Sequence, residues 1–212
     1  MKIKTFTFNL FSENTFVIYD QTKECVIIDP GCYEQFEKDK LEKYILENNL
    51  KPVMLINTHC HIDHILGNKF VSKRWGLDLL INKLDLNLLN NSKEIAQLYG
   101  FTNYEISPDP KKFLDEGDKI NFGTSSLSIL FTPGHAPGHI SLYSKKENLV
   151  ISGDVLFQNS IGRTDLPGGN YEVLIDSIKT KLLVMEDSTK VFCGHGPSTT
   201  IGNEKLHNPF LK

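Results

Sequence analysis

A short segment rich in histidine, residues 58–64, constrains this chain more than any other part of its sequence. It directly follows an apolar run at 53–56 that is typical of a buried strand. Its four potential metal ligands are His59, His61, Asp63 and His64. Alternate residues of an extended segment share a side, so the first three are expected to face one space. The fourth joins them if the chain turns there into a helix.

Imidazole and carboxylate groups in one cluster suit zinc, iron or manganese. A usual catalytic zinc site has three protein ligands, and this segment alone offers four. The spacing therefore predicts that the ligands divide between two metal ions.

Three more candidate ligands come later in the chain, namely His135, Asp154 and His195. Each follows a predicted strand, at 125–131, 149–152 and 190–193 respectively. Functional loops in sheet-based folds converge where strands end. We therefore expect these side chains to belong to the same site as the first cluster.

The apolar patterns predict two similar series of elements. In the first half they predict strands at 3–8, 15–19, 25–28, 53–56 and 77–81, and helices at 34–49, 65–75 and 83–99. In the second half they predict strands at 119–122, 125–131, 140–143, 149–152 and 190–193, and a helix at 171–183. A loop is expected at 100–118. This arrangement predicts an α/β (α+β) fold, a four-layer αββα sandwich of two mixed β-sheets. A single domain, 1–212, is expected, with halves of about 1–115 and 116–212.

Composition narrows the class of protein. Hydrophobic residues make up 40% of the chain and charged residues 23%, which is ordinary for a globular protein. A formal net charge of -3 gives no basic field for nucleic acid, so no nucleic-acid partner is expected. The N-terminus has no apolar run like that of a signal peptide, and no segment resembles a membrane span. A cytoplasmic protein with four free cysteines is expected. The oligomeric state stays open.

The order of these motifs resembles the metallo-β-lactamase superfamily, and within it the glyoxalase II-like thioesterases. The matching features are the HxHxDH pattern of 59–64, the histidine after Thr132-Pro133-Gly134, Gly153-Asp154 and Gly194-His195. They span nearly the whole chain. The resemblance implies one metal held by His59, His61 and His135, a second held by Asp63, His64 and His195, and Asp154 bridging both.

The implied activity is that of a metal-dependent hydrolase, a thioester hydrolase of EC 3.1.2 type that uses a hydroxide bridging two metals. The implied partner is a small-molecule substrate, a thioester or a related ester. Asp63 and Asp154 are the implied catalytic residues, Asp63 by aiming the hydroxide. The cofactors are two divalent metal ions, with zinc favoured and iron or manganese as alternatives.

The substrate is less well indicated. Glutathione-specific members carry a C-terminal helical region and usually a glutamate and a tyrosine after the last histidine, whereas His195 is followed by Gly196-Pro197-Ser198. This difference favours the short bacterial glyoxalase II-like branch. The alternatives are a mononuclear-iron persulfide dioxygenase, a phosphodiesterase or nuclease, an exported β-lactamase, and a metal-binding protein without catalysis.

Four other residues have open roles. Asp29 could orient a ligand imidazole or serve its turn, and His139 could face substrate or be structural. Arg163 could bind a substrate carboxylate or pair with Asp165. His207 is expected to lie at the surface or to pack the C-terminal tail.

Overall fold

Two mixed sheets carry most of the strands. A computed structural model describes all residues, 1–212. The first sheet has the order β1-β2-β3-β4-β5-β6, with antiparallel pairs up to β3 and parallel pairs from there on. Its strands are β1 (Lys2–Phe8), β2 (Glu13–Tyr19), β3 (Glu24–Ile28), β4 (Lys51–Ile56), β5 (Leu79–Ile81) and β6 (Lys112–Phe113).

The second sheet has the order β14-β13-β10-β9-β8-β7, in which β10 and β13 run parallel. Its strands are β7 (Lys119–Phe122), β8 (Ser125–Phe131), β9 (Ile140–Ser144), β10 (Leu149–Gly153), β13 (Lys190–Cys193) and β14 (Thr199–Thr200). A small hairpin pairs β11 (Leu156–Phe157) with β12 (Ser160–Ile161).

Seven α-helices complete the structure. They are α1 (Gln35–Glu47), α2 (Ile62–Ile65), α3 (Asn68–Trp75), α4 (Leu86–Asn90), α5 (Ser92–Leu98), α6 (Tyr171–Ser177) and α7 (Ile201–His207). A 3-10 turn at Lys83–Asp85 leads into α4, and a π-helix at Ile178–Leu182 extends α6. No helix is both long and apolar enough to cross a membrane.

The chain forms two compact units. Unit 1 comprises residues 1–113 and 121–125, and unit 2 comprises 114–120 and 126–212. Each has its own apolar cluster of buried side chains, such as Val17, Ile27 and Leu55 in unit 1 and Val150 and Leu174 in unit 2. The bounds of these units nearly coincide with those of the predicted halves. The assignment of the chain to a single domain stays a prediction.

The prediction of one continuous helix at 65–75 is wrong at its start, and the helical segment that the structure shows is interrupted. The chain is already helical at Ile62, and it breaks before α3. The Gly67 N–H donates to Pro30 O at 2.7 Å, and a Cβ at Gly67 would lie 2.4 Å from Cys32 Sγ. This close approach of the backbone to another segment ends α2 after one turn.

Other differences lie at short elements. The predicted helix 83–99 is divided into a 3-10 turn, α4 and α5, and the predicted loop 100–118 contains β6. The sequence patterns also missed β11, β12, β14 and α7. A strand of two residues has too little length for an alternating pattern, and only its pairing with a neighbour defines it.

Candidate metal centre

The histidine-rich segment changes conformation halfway along. His61 is extended, with φ −67° and ψ 150°, and caps α2, whose first turn contains Asp63 and His64. The prediction that Asp63 alternates with His59 and His61 on an extended strand is therefore wrong. The His64 N–H donates to His61 O at 3.1 Å, so the chain turns one residue before Asp63. His59 and His64 are fully buried, whereas Asp63 keeps 14% of its side chain exposed.

The Asp29 carboxylate fixes the tautomers of two predicted ligands. Its Oδ2 lies 3.1 Å from His64 Nδ1 and accepts a hydrogen bond of 2.6 Å from the Thr58 hydroxyl. Because that hydroxyl has donated its only proton, it accepts from His59 Nδ1, which lies 3.1 Å away. Both imidazoles thus carry their proton on Nδ1, and each Nε2 keeps a lone pair for a metal ion.

Asp29 has an uncommon backbone conformation. Its φ is +48°, in the left-handed region that few residues other than glycine adopt. It is fully buried directly after β3, and its N–H donates to Ile56 O at the end of β4. Strained residues of this kind persist where the surrounding structure demands them, often at functional sites. Here the conformation brings the carboxylate under the segment that carries the histidines.

Three further side chains hold the backbone of the segment. Asp85 accepts from the Cys60 N–H at 2.8 Å, Asn9 donates to Asp63 O at 2.9 Å, and Asn57 donates to His64 O at 3.0 Å. These partners lie between 7 and 54 residues away along the chain. The segment is therefore held at several points, two of them by residues distant in the chain, which fixes the directions of its ligands.

Glu13 is a buried acid that the sequence reasoning missed. Its side chain is fully buried, and Oε1 lies 4.0 Å from His64 Nδ1. Oε2 accepts a hydrogen bond from Thr15 at 2.9 Å. Burial raises the pKa of Glu13 well above its usual value. The only signal in the sequence was an acidic residue shortly before the apolar run at 16–19.

Unit 2 brings its three predicted ligands together. Asp154 Oδ2 lies 3.5 Å from His135 Nε2 and 3.4 Å from His195 Nε2. His135 follows β8, Asp154 follows β10 and His195 follows β13, as predicted. His195 is the most accessible, with 27% of its side chain exposed.

The loop after β12 fixes the orientation of His135. His135 Nδ1 donates to Arg163 O at 2.8 Å, which leaves Nε2 facing Asp154. The Arg163 guanidinium itself binds Asp165 through two hydrogen bonds of 2.8 and 2.7 Å. These bonds lower the pKa of Asp165 to about 2. Of the two roles considered for Arg163, the structure shows the ion pair with Asp165, and the Arg163 carbonyl accepts the hydrogen bond from His135.

The donor set in each unit fits divalent metal ions. In unit 1, the ring centroids of His61 and His64 lie 4.8 and 4.2 Å from that of His59. In unit 2, two imidazole Nε2 atoms converge on one carboxylate oxygen. Imidazole and carboxylate are the ligands that zinc, iron and manganese accept. His207, which was expected at the surface or in the packing of the C-terminal tail, ends α7 and is exposed.

Residues 9–195 of the chain match the Metallo-beta-lactamase superfamily. The chain belongs to the metallo-β-lactamase superfamily. The predicted family and the predicted α/β fold class with two mixed sheets are confirmed. At the coarse level of a metallohydrolase of this superfamily, the predicted activity is confirmed too.

Individual relatives of this superfamily member align along nearly its full length. It is 43% identical over 200 residues to the probable metallo-hydrolase YqgX of Bacillus subtilis, covering 92% of the chain and 90% of the relative. It is 38% identical over 212 residues to the hydroxyacylglutathione hydrolase GloC of Haemophilus influenzae, covering 100% and 98%. Its fold matches the crystal structure of TTHA1623 in a di-iron-bound form, with a TM-score of 0.88, 35% identity, and coverage of 98% and 100%.

Proposed function

We propose that this chain is a binuclear metallohydrolase that cleaves small-molecule thioesters in the cytoplasm. The observation that carries the proposal is the state of the imidazoles. His59 and His64 are protonated on Nδ1 by the Asp29 network, and His135 by the Arg163 carbonyl. Each Nε2 is therefore available as a metal ligand in a fixed direction. Histidines that bind metal usually donate their second ring N–H to a carboxylate or a carbonyl in this way.

The proposed ligands divide between two metals. One metal would be held by His59, His61 and His135, the other by Asp63, His64 and His195, with Asp154 as a ligand to both. When bound, two divalent metals lower the pKa of water to near neutrality and polarise the substrate carbonyl. Zinc is the proposed metal, and the di-iron relative makes iron the main alternative.

The protein side chains contribute orientation. Asp63 is partly exposed and Asn9 holds its backbone carbonyl, so its carboxylate would be accessible to the attacking water and could accept a hydrogen bond from it. The four cysteines are all buried, so none of them can serve as a nucleophile. Water is thus the proposed nucleophile, and Asp63 and Asp154 are the proposed catalytic residues.

Thioesters are proposed because of the likeness to GloC, whose name gives a hydroxyacylglutathione as its substrate. The decisive experiment measures metal content and thioester hydrolysis on the same sample of protein, purified without a histidine tag. About two metals per chain, with turnover of S-lactoylglutathione or a simple thioester, would support the proposal. An Asp154→Ala sample serves as the inactive control.

Two results would overturn the proposal. One iron per chain, no thioester turnover, and oxygen uptake with a persulfide would indicate a dioxygenase instead. Metal bound without turnover of any activated ester would indicate a metal-binding protein.

A further inference from the structure

His139 is a fully buried histidine outside the proposed ligand set. It follows His135 by four residues in the loop between β8 and β9, and the two rings lie 6.2 Å apart. Its Nε2 atom accepts a hydrogen bond of 3.0 Å from the Asp154 N–H. The lone pair that a metal would need is therefore committed to the backbone of Asp154.

The hydrogen bonds around His139 define one tautomer. An N–H group can only donate, so His139 Nε2 must accept from Asp154 and the ring proton is on Nδ1. Nδ1 lies 3.1 Å from Thr132 Oγ1, which accepts from it. The Thr132 hydroxyl can then donate to Ser141 Oγ, 2.9 Å away. The neutral imidazole thus ends a buried polar chain that begins on β9.

We propose that His139 is a positioning residue that sets Asp154 relative to His135 for metal binding. The backbone of His139 is paired with the loop of His135, since the Thr132 N–H donates to His139 O at 2.9 Å. The His139 side chain accepts a hydrogen bond from the Asp154 N–H, directly after the end of β10. One imidazole therefore links the two segments that carry these ligands. The inference rests on the proposed function in one respect, namely that Asp154 and His135 bind metal.

The acceptor atom can be kept or removed by substitution. In His139→Gln, the amide oxygen reaches about the position of Nε2 and can accept from the Asp154 N–H. His139→Leu fills similar volume and leaves that buried N–H without an acceptor. Leu182→Ala is the matched control, because Leu182 is fully buried in the apolar cluster of the same unit. It lowers stability without touching the hydrogen-bond chain.

The test measures affinity for Zn²⁺ and Co²⁺ by competition with a chelator, the visible spectrum of the cobalt form, and the Tm of the metal-free protein. His139→Leu should bind at least one metal 10- to 100-fold more weakly, the usual effect of removing a group that orients a ligand. Its cobalt spectrum should change as well. His139→Gln should stay within a few-fold of wild type. Leu182→Ala should have a lower Tm than wild type and the same metal affinity.

Two outcomes would overturn the inference. One is a folded His139→Leu protein with wild-type affinity and cobalt spectrum, and the other is a loss of affinity in Leu182→Ala as large as that in His139→Leu. If His139→Leu does not fold, His139→Asn replaces it, because its shorter amide reaches the Nδ1 position only and should bind metal as weakly. None of these measurements needs a substrate. A wild-type chain that binds two metals and cleaves no thioester therefore contradicts the proposed function and leaves this inference standing.

Discussion

The Asp29 carboxylate lies 3.1 Å from His64 Nδ1, although the two residues are 35 positions apart. This contact decides which nitrogen of His64 is left for a metal. We predict that Asp29→Asn weakens metal binding 10- to 100-fold and lowers hydrolysis accordingly. Asparagine tolerates the positive φ of this position, so the backbone should be kept. Metal titration monitored by chelator competition checks the prediction.

Asp20→Asn is the control for that variant. Asp20 is a buried carboxylate of the same unit that bonds Thr22 and Thr124 and contacts none of the histidines. Equal loss of metal affinity in both variants would show that Asp29 has no special role.

Removal of the proposed bridging ligand should abolish activity without unfolding the protein. The Asp154 carboxylate is nearly buried beside two imidazoles, and we expect Asp154→Ala to lose metal and more than 100-fold in activity while its metal-free Tm stays near wild type. Metal analysis, an activity assay and thermal melting of the metal-free proteins check this. An active and fully metallated variant would contradict the role assigned to Asp154.

Gly162 lies against both Asp154 and His135. A Cβ at this position would meet Asp154 O at 1.9 Å and His135 Cβ at 3.2 Å. Because the obstacle is backbone, Gly162→Ala should cost about 1–3 kcal/mol of stability and also weaken metal binding. Denaturant unfolding and metal titration give the two quantities.

Gly117→Ala is the counterpart for Gly162→Ala. Gly117 has φ +84° and open space around its missing side chain. Its substitution should cost about 1–2 kcal/mol through backbone strain alone and leave metal affinity unchanged. If Gly162→Ala also kept its metal affinity, the packing of Gly162 would have no bearing on the site.

The cysteines should be unreactive in the native protein. All four are buried, and burial raises the pKa of the Cys25 thiol to about 12. Since the thiolate is the reactive form, an aromatic disulfide reagent at pH 8 should label essentially no thiol until denaturant is added. Rapid labelling of the native protein would show that a cysteine is accessible.

The Asp20 carboxylate should make part of the protein's free energy of unfolding depend on pH in the acid range. Burial by itself would raise its pKa, but hydrogen bonds from Thr22 and Thr124 outweigh burial and lower it. A carboxylate with a depressed folded-state pKa stabilises the protein above its unfolded pKa of about 4. That contribution is lost as the pH falls through the folded-state value. The stability advantage of wild type over Asp20→Asn should therefore be full at pH 7 and shrink below about pH 5.

Equilibrium unfolding of both proteins between pH 7 and pH 3 measures this advantage. A difference that stays constant across the range would mean that the Asp20 carboxylate titrates alike in the folded and unfolded chains.

The sequence predicted the long elements well. Strands such as β2, β4 and β8 follow local apolar patterns, and His135, Asp154 and His195 do follow strands. The start of α2 was not predicted correctly, because Gly67 pairs with Pro30 from a distant segment and ends that helix early.

By itself, then, the sequence determined which side chains are candidate metal ligands and that they follow strands, since both are properties of a local pattern. Only the tertiary structure decided how those side chains are held. The tautomer of His64 depends on Asp29, the backbone at Cys60 on Asp85, and the backbone of Asp154 on His139. These are hydrogen bonds between residues 15 to 35 positions apart, and no local periodicity records them. They form when packing buries both partners, because a buried polar group without a partner costs free energy.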